Sequence, residues 1–391
     1  MGDDECTVTT MSVHHSPNDT VCTQPLPDDT TVNNQQLPSP TADVLSKQLP
    51  KELIIEILLR LPVKSLLQFK CICKSWKTLI SDPQFANNHF LTSTAYPQLL
   101  SAALGVCRNP YEILSYPVKP LLENLSTPIT PLNFSTGHCY DILGSCNGLI
   151  CLYDIHQSNF TLWNPSINLK SRTYPTIASS DNDVVVYHGF GYDQINDKYK
   201  VLVVVEDEDE DEETLETVTR IYTFGENSCT TVPNFPCDPH SNLGIYVSGT
   251  LNWVGNKNNK EMIISIDLEK EIRGEVLLPQ HDDADNARSS ELYVLSDCLC
   301  MCFDKETHWT VWRMKEYGVV ESWTKLMIIP HEEFQLTWNP LFMSENGVVL
   351  VRTTRSILVL YNLNNGQIDY HKIWDNLVGE MHIHRESLVS P

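Results

Sequence analysis

Three groups of residues in the sequence have types and spacings that could support chemistry. Residues 144–148 read Gly-Ser-Cys-Asn-Gly, which superficially resembles the sharp turn that presents a catalytic nucleophile. Cys298, Cys300 and Cys302 alternate along an apolar segment, so their thiols would share one side of a strand and could bind a metal. Residues 206–213 are eight consecutive carboxylates, which could bind a basic protein or, weakly, a divalent cation.

A structural interpretation competes with each of these chemical ones. The Gly-Ser-Cys-Asn-Gly segment precedes a strand-like run in a pattern that recurs along the chain, which favours an ordinary turn. The sequence has no Cys-x-x-Cys pair and no phosphate-binding Gly-rich loop, and its histidines have no recurring metal spacing. We therefore expect the cysteine trio to pack in a core, and we expect no catalytic residue, no metal and no cofactor.

The acidic run lies between two strand-like segments, KVLVVV and TVTRIYTF. This arrangement predicts a hairpin with a charged tip. Two interpretations stay open, because such a tip is either a solvated insertion or a surface for a basic partner.

The overall charge limits the possible partners. The chain of 391 residues has 27 basic and 50 acidic residues, a net charge of -23, which argues against binding nucleic acid or an anionic membrane surface. Its first residues resemble no secretory signal, and no apolar run is long enough to span a membrane. The 13 cysteines, an odd number, favour reduced thiols. We expect a cytoplasmic or nuclear protein.

The first half of the chain changes in character near residue 44. Residues 1–43 are polar and lack apolar periodicity, so we predict a disordered tail. Residues 49–80 contain apolar positions at helical spacing and predict three short helices, the first ended by Pro62 and the third covering 74–80. The second helix would bury Leu66, Leu67 and Cys71 on one face.

This helical segment differs in charge from the rest of the chain. It contains six basic and two acidic residues, a net charge of +4 within a chain of -23. So few residues rarely fold without outside help. The segment is therefore either a module that binds an acidic partner or a helical subdomain packed on the remainder of its own chain.

The amino-acid sequence of this segment resembles the F-box of plant proteins. The matching motifs are Leu-Pro-x-Glu-Leu, Ile-Leu-x-x-Leu-Pro-Val-Lys-Ser-Leu, Lys-Ser-Trp and Ile-Ser-Asp-Pro-x-Phe, and the family's Cys-Lys pair is present as Cys73 and Lys74. The resemblance implies docking onto a SKP-type adaptor, a small acidic protein that in turn binds a cullin scaffold. The residues expected at or beneath this contact are Leu49, Pro50, Ile54, Ile57, Leu58, Leu61, Pro62, Ser65, Leu66 and Trp76.

The remainder of the chain has a period near 50 residues. A turn followed by an apolar strand-like run recurs with its turn residues 48 to 52 positions apart, and the period is typical of kelch-like propeller blades. These turn residues are Gly148, Asp197, Gly249, Asp297 and Gly347. Residues 95–144 are long enough for one more repeat, so we predict about six blades if the ring closes. An open stack or a β-sandwich would use similar strands.

This region also resembles the F-box-associated domain of plant F-box proteins, a family that includes S-locus-type receptors. The resemblance lies in GSCNGLICLYD, in WNPS at Trp163, in GFGYD at Gly189 and in ESLVSP at Glu386. After the tail over 1–43, the two resemblances together imply an all-α F-box over 44–90 and an all-β, propeller-like substrate-recognition domain over 95–391. The implied function is the substrate receptor of an SCF (SKP-cullin-F-box) ubiquitin ligase acting on an unknown protein.

Two other functions remain possible at this point. A propeller that acts as a lectin or an enzyme outside ubiquitination would need a convergent polar set in its loops, and the sequence provides none that we can assemble. A receptor that stabilises its bound protein instead of promoting its degradation would use the same residues.

Overall fold

A computed structural model describes residues 50–391 except for twelve short segments. These segments are 104–111, 124–131, 137–139, 155, 174–182, 208–216, 227–228, 259, 280–286, 332–337, 354–356 and 373–380. The predicted tail over 1–43 lies outside the described residues, and so does most of the acidic run.

The described part of the chain begins with four short helices, one more than the sequence predicted. Pro50 and Pro62 precede the first two helices, where a missing backbone N–H costs nothing. The second helix ends before Cys71, which is exposed, so the prediction that Cys71 lies on its buried face was wrong. The helices are α1 (Lys51–Leu59), α2 (Val63–Phe69), α3 (Lys74–Ile80) and α4 (Pro83–Thr92).

The four helices share one apolar core. α4 contributes Phe85 and Ala86 to it, and Leu388, from the far end of the chain, is buried in the same core. His89 of α4 donates from Nε2 to the carbonyl oxygen of Leu61 at 2.7 Å. The other buried members of this core are Leu58, Val63, Leu66 and Ile80.

The rest of the chain forms six four-stranded antiparallel sheets arranged as the blades of a β-propeller. Blade 1 contains β1 (Gln98–Ala103), β2 (Glu112–Pro117) and β3 (Leu132–Ser135), with helix α5 (Val118–Glu123) after β2. Blade 2 contains β4 (Tyr140–Cys146), β5 (Leu149–Asp154), β6 (Asn159–Asn164) and β7 (Leu169–Lys170). Blade 3 contains β8 (Asp183–Asp193), β9 (Lys198–Asp207), β10 (Thr217–Thr223) and β11 (Cys229–Val232).

The second half of the ring repeats this plan. Blade 4 contains β12 (Ile245–Val247), β13 (Thr250–Lys257), β14 (Lys260–Asp267) and β15 (Ile272–Val276). Blade 5 contains β16 (Ser289–Leu295), β17 (Cys298–Asp304), β18 (His308–Met314) and β19 (Trp323–Pro330). Blade 6 contains β20 (Trp338–Met343), β21 (Val348–Thr353), β22 (Ile357–Asn362) and β23 (Ile368–Lys372).

The last strand of the chain closes the ring. β24 (Met381–His384) pairs antiparallel with β1, with Gln98 opposite His384, and becomes the innermost strand of blade 1. The closed ring of six blades confirms the predicted architecture. Closure leaves each sheet only a short outer edge, which limits pairing with other chains.

The turn residues that gave the repeat its period all adopt positive φ. The values are 75° for Gly148, 54° for Asp197, 83° for Gly249, 57° for Asp297 and 75° for Gly347. Tight links between the first and second strands of a blade require this conformation, which glycine and, among other residues, Asp and Asn tolerate best. The period was therefore visible in the sequence because the turn geometry restricts the residue types.

The ring core consists of the inward-facing positions of the strands. Cys300 and Cys302 of β17 are buried among aromatic and aliphatic side chains, as predicted, whereas Cys298 at the start of the strand is only half-buried. The core also contains the buried tryptophans Trp253, Trp309, Trp312 and Trp338.

The ring has two different faces. Asn147 in the β4–β5 link and Asp197 in the β8–β9 link lie beside α4, so the links between first and second strands define a helix face. Because strands alternate in direction, the links between second and third strands and between blades emerge at the opposite face, the loop face. β9 and β10 pair as far as Glu206 and Thr217, so this end of the strand pair lies at the loop face.

Candidate functional site

Three large apolar side chains of α1 and of the link between α2 and α3 project into solvent. Leu53 is 45% exposed, Ile57 51% and Ile72 61%. Leu53 and Ile57 are four residues apart on α1 and lie on one helix face. Apolar residues scattered singly on a surface need no explanation, but here three lie within 20 positions of the chain.

The helical unit exposes these side chains although it has a filled core. α1 packs Ile54, Ile55 and Leu59 against that core and buries Leu58 within it. The helix is therefore apolar on two sides, and one of these sides packs against the core of the helical unit. The outward side is available for a partner.

The helical unit also exposes cationic side chains. Arg60 of α1 is paired with Glu56 at 2.8 Å, and both side chains are largely exposed. The other exposed basic residues of the unit are Lys51, Lys64, Lys74 and Lys77. The surface therefore combines apolar contact area with positive charge, as an acidic partner would require.

The structure separates the predicted contact residues into three groups. Leu58 and Leu66 are buried and belong to the internal core, whereas Pro50, Ile57 and Pro62 are exposed. Leu49 lies outside the described residues. The half-buried residues, which border both environments, are Ile54, Leu61, Ser65 and Trp76.

Two exposed residues were missing from the predicted contact set. Leu53 belongs to the same apolar periodicity as Ile57, so the helical spacing contained the necessary signal. Ile72 lies in the link between α2 and α3, where no periodicity applies. Its only sequence signal is an apolar residue between two cysteines in a basic segment.

The link that carries Ile72 is held by local contacts. Phe69 and Trp76 pack edge to face across it, with ring centroids 5.2 Å apart. Cys73 at its end is exposed, and its Sγ lies 3.1 Å from the Ser75 Oγ. This hydrogen bond lowers the pKa of the Cys73 thiol from its ordinary value.

The Gly-Ser-Cys-Asn-Gly segment does not form a nucleophile site. Cys146 is buried in the core of the ring, and burial raises the pKa of its thiol far above the usual range. Ser145 Oγ lies 3.4 Å from His384 Nδ1, but His384 Nε2 has no hydrogen-bond partner among the described residues. Burial also lowers the pKa of His384 to about 3. A base without an orienting group fails the requirement for activating a hydroxyl.

The described residues offer no arrangement for metal chemistry, since no three His, Cys, Asp or Glu side chains among them converge. Within the same described ranges, no helix has the length and apolarity needed to cross a membrane.

The described residues of the ring line an axial cavity and a cleft beside the helices. An axial cavity of about 510 Å³ is lined by the inner strands of the blades, with Ser145, Asn339 and His382 among its walls. A cleft of about 860 Å³ lies between α4, the helix-face links of blades 2 and 3, and residues 388–391. The axial cavity is lined by residues of the ring alone, whereas the cleft is lined by residues of both the ring and the helices.

The fold and the surface together define a class of protein. A small helical unit presents an apolar, basic surface, and a closed β-propeller presents loops at its opposite face. This architecture is typical of non-catalytic recognition proteins.

Comparison with known protein families identifies both parts. Residues 47–88 match the F-box domain, and residues 111–388 match the F-box associated beta propeller domain. The chain belongs to the family of plant F-box proteins with a C-terminal F-box-associated domain.

Two similar plant proteins support this assignment. An F-box/kelch-repeat protein of Arabidopsis thaliana is 33% identical over 88% of this chain and 96% of its own. The F-box protein CPR1 of the same plant is 24% identical over 84% of this chain and 85% of its own. Among solved structures, a chain of a nidogen/laminin complex aligns over 74% of this chain and 99% of its own, with 12% identity and a TM-score of 0.43.

Proposed function

We propose that this protein is the substrate-receptor subunit of an SCF-type ubiquitin ligase. Its F-box helices bind a SKP-type adaptor, the adaptor binds a cullin scaffold, and the propeller binds a protein substrate. The observation that carries the proposal is the exposure of Leu53, Ile57 and Ile72 on a helical unit whose core is already filled, in part by Leu388.

The surface has the composition of a binding site for an acidic protein. Desolvation of exposed Leu and Ile side chains supplies affinity at about 25 cal/mol per Å² of apolar area buried. The exposed lysines of the helical unit supply attraction toward an acidic adaptor and orient it before contact. Leu58 and Leu66 act beneath this surface, because they hold α1 and α2 in position.

The loop face of the ring is the face we assign to the substrate. The helix face is occupied in part by α4, with the cleft lined by Phe90, Tyr192 and Tyr199 between them. At the loop face, the links between blades are long, such as 233–244 and 277–288, whereas the helix-face turns at Gly249 and Asp297 are short. Long loops on a rigid scaffold are the usual location of recognition residues.

In this function the chain supplies no catalytic group. Ubiquitin transfer is carried out by a conjugating enzyme that the scaffold recruits, and the receptor raises the local concentration of a substrate lysine beside it. This role is consistent with an architecture in which Cys146 and His384, the buried groups nearest to a nucleophile motif, are both held in unreactive forms.

The direct test is the affinity of the purified chain for a purified SKP-type adaptor. Ile57→Asp places a charge on the exposed face of α1 without entering the core, and we expect it to weaken binding at least about tenfold, as for a central apolar contact. Leu132→Asp is the matched control, because Leu132 is 64% exposed on the outer strand of blade 1.

The two variants give separable outcomes. Loss of binding for Ile57→Asp with wild-type affinity for Leu132→Asp supports the docking surface. Binding that is absent in the wild type, or equal in all three proteins, contradicts the proposal.

A further inference from the structure

Three motifs that lie far apart in the sequence contact one another in a buried cluster. Asn164, from the WNPS motif, is fully buried and donates from Nδ2 to the carbonyl oxygen of Ser387 at 3.1 Å and to that of Val389 at 2.7 Å. Ser387 belongs to the ESLVSP motif and is also fully buried. Its Oγ accepts from the same Asn164 Nδ2 at 3.0 Å.

The third motif contributes a glycine that leaves room for this contact. Ser387 Oγ donates to the carbonyl oxygen of Gly148 at 3.3 Å. A Cβ atom added to Gly148 would lie 2.2 Å from Ser387 Oγ, and the φ of Gly148 is +75°. Glycine is therefore required at this position both by the positive φ of the turn and by the close approach of Ser387.

The chain beyond this point enters the core of the helical unit. Leu388 is only 5% exposed and packs with Leu58, Leu66 and Phe85 of the helices. The neighbouring Val389 packs against that core and also against the core shared by blades 2 and 3. One short segment thus contributes to two cores.

The chain before this point holds the end of α4. Arg385 donates from Nη2 to the carbonyl oxygens of Phe90 and Ser93, both at 3.1 Å. Its guanidinium also lies 4.5 Å from the centre of the Phe90 ring. Unpaired carbonyls at a helix C-terminus are stabilised by such cationic donors.

We propose that residues 385–389, the strap, are positioning residues that fix the F-box helices on the ring. The strap follows directly from β24, which closes the ring by pairing with β1. Closure of the propeller and completion of the helical core are therefore achieved by adjacent residues of one segment. The helices alone cover fewer residues than most independent domains, so the strap supplies part of the core they lack.

This coupling has a functional consequence that rests on the proposed receptor role. A helical unit loosely attached to the ring would present the adaptor and the substrate in variable relative positions. With Arg385 and Leu388 in place, the adaptor surface and the loop face keep a fixed geometry, which preserves the gain in effective concentration.

The experiment is amide hydrogen exchange of the full chain, followed by mass spectrometry and without any adaptor. Leu388→Ala removes the strap from the helical core, and Arg385→Ala releases the end of α4 while leaving that core intact. Leu132→Ala is the control, because it truncates an exposed leucine of the ring. Exchange measures local opening of each element separately.

For both strap variants we expect peptides from α1 to α4 to exchange at least about tenfold faster, with blades 4 to 6 unchanged. The control should match the wild type throughout. The inference is overturned if the helices of Leu388→Ala exchange at the wild-type rate, or if blades 4 to 6 accelerate as much as the helices. Because no adaptor is present, failure of the receptor role would leave this result unaffected.

Discussion

At the scale of single residues, a buried lysine connects blades 3 and 4. Lys200 Nζ lies 3.0 Å from Asp193 Oδ2, 2.8 Å from Glu271 Oε1 and 2.6 Å from the carbonyl oxygen of Leu268. The side chains of Lys200 and Asp193 are almost completely buried. Burial alone would lower the pKa of Lys200, but the hydrogen bonds and charges of Glu271 and Asp193 outweigh it and raise the pKa.

Replacing Lys200 should strongly destabilise the ring. In Lys200→Met the carboxylate of Asp193 stays buried without its cation, and breaking a buried pair in this way costs about 3 to 5 kcal/mol. Lys270→Met is the matched control, because Lys270 pairs with Asp267 at the same 3.0 Å but is largely exposed. Such a pair is worth less than about 1 kcal/mol. Urea unfolding measures the free energy of unfolding of both variants. An equal decrease in Lys200→Met and Lys270→Met would show that burial of the pair is irrelevant.

The stabilisation from Asp193 should depend on pH at the acidic end. Burial acts to raise the pKa of Asp193, but the hydrogen bonds from Asn196 and the charge of Lys200 lower it overall. A carboxylate with a depressed pKa stabilises the fold above its unfolded pKa of about 3.9, and the effect is lost as the pH falls through the folded value. The difference in unfolding free energy between wild type and Asp193→Asn, which removes the titrating carboxylate, should therefore be constant from pH 7 to 5 and shrink below about pH 4.

The sequence predicted the contact surface at the level of the segment but not of each residue. Adjacent residues have opposite roles on α1, since Leu58 is buried and Ile57 is exposed. Helical spacing places them on neighbouring faces, yet the choice of face depends on what packs there. Part of that packing comes from Leu388, 330 positions away in the chain. Short-range patterns contain no information about such a partner.

At the scale of elements, α4 is the helix whose start is capped by a side chain. Asp82 Oδ1 accepts hydrogen bonds from the backbone nitrogens of Gln84 at 2.9 Å and Phe85 at 3.1 Å. α1, α2 and α3 begin at Pro50, Pro62 and Cys73 without such a bond. α4 is thus the best-defined helix at its N-terminus and brings Phe85 into the shared core.

Removing this cap should loosen α4. Asp82→Ala leaves two backbone donors without their acceptor and should cost about 1 kcal/mol. Asp82→Asn is the control, because an asparagine oxygen caps about as well as an aspartate oxygen. Hydrogen exchange of peptides covering 83–92 provides the measurement. A similar increase in both variants would indicate that charge, and not the capping bond, is responsible.

The predictability of an element depended on how strongly its geometry restricts residue types. The blades were predictable because each tight link needs residues such as Gly148 or Asp197 that accept positive φ. α4 was missed because it buries only Phe85, Ala86 and His89, a pattern too weak to signal a helix. Its capping residue Asp82, followed by Pro83, was the available signal.

At the scale of the whole molecule, the ring is closed by strands from opposite ends of its sequence. β24 and β1 are paired although they begin 283 positions apart. The repeat period predicted the number of blades, but it could not show which strand completes blade 1. The first blade lacks a fourth strand of its own, so closure must wait until the last strand has been made. Because the strap follows β24, the helical core is completed by that same late segment.

The charge of the whole molecule should control how fast the adaptor binds. The chain has a net charge of -23, so an acidic adaptor is repelled by most of its surface. The exposed lysines of the helical unit, Lys64 and Lys74 among them, create a local positive field at the docking surface. Electrostatic attraction of the acidic adaptor then depends on these few lysines, because the net negative charge of the rest of the chain repels it.

Neutralising two of these lysines should therefore slow association out of proportion to the change in net charge. We expect Lys64→Gln/Lys74→Gln to lower the association rate constant with a SKP-type adaptor by roughly three- to tenfold at low salt, with a smaller effect on dissociation. Lys257→Gln/Lys260→Gln changes the net charge equally but removes exposed lysines from blade 4. Stopped-flow measurements at increasing salt should show the three proteins converging, because the Debye length falls from about 10 Å at 0.1 M to about 3 Å at 1 M. Equal slowing by the two double variants would assign the effect to total charge, and no slowing by either would exclude electrostatic steering at the F-box.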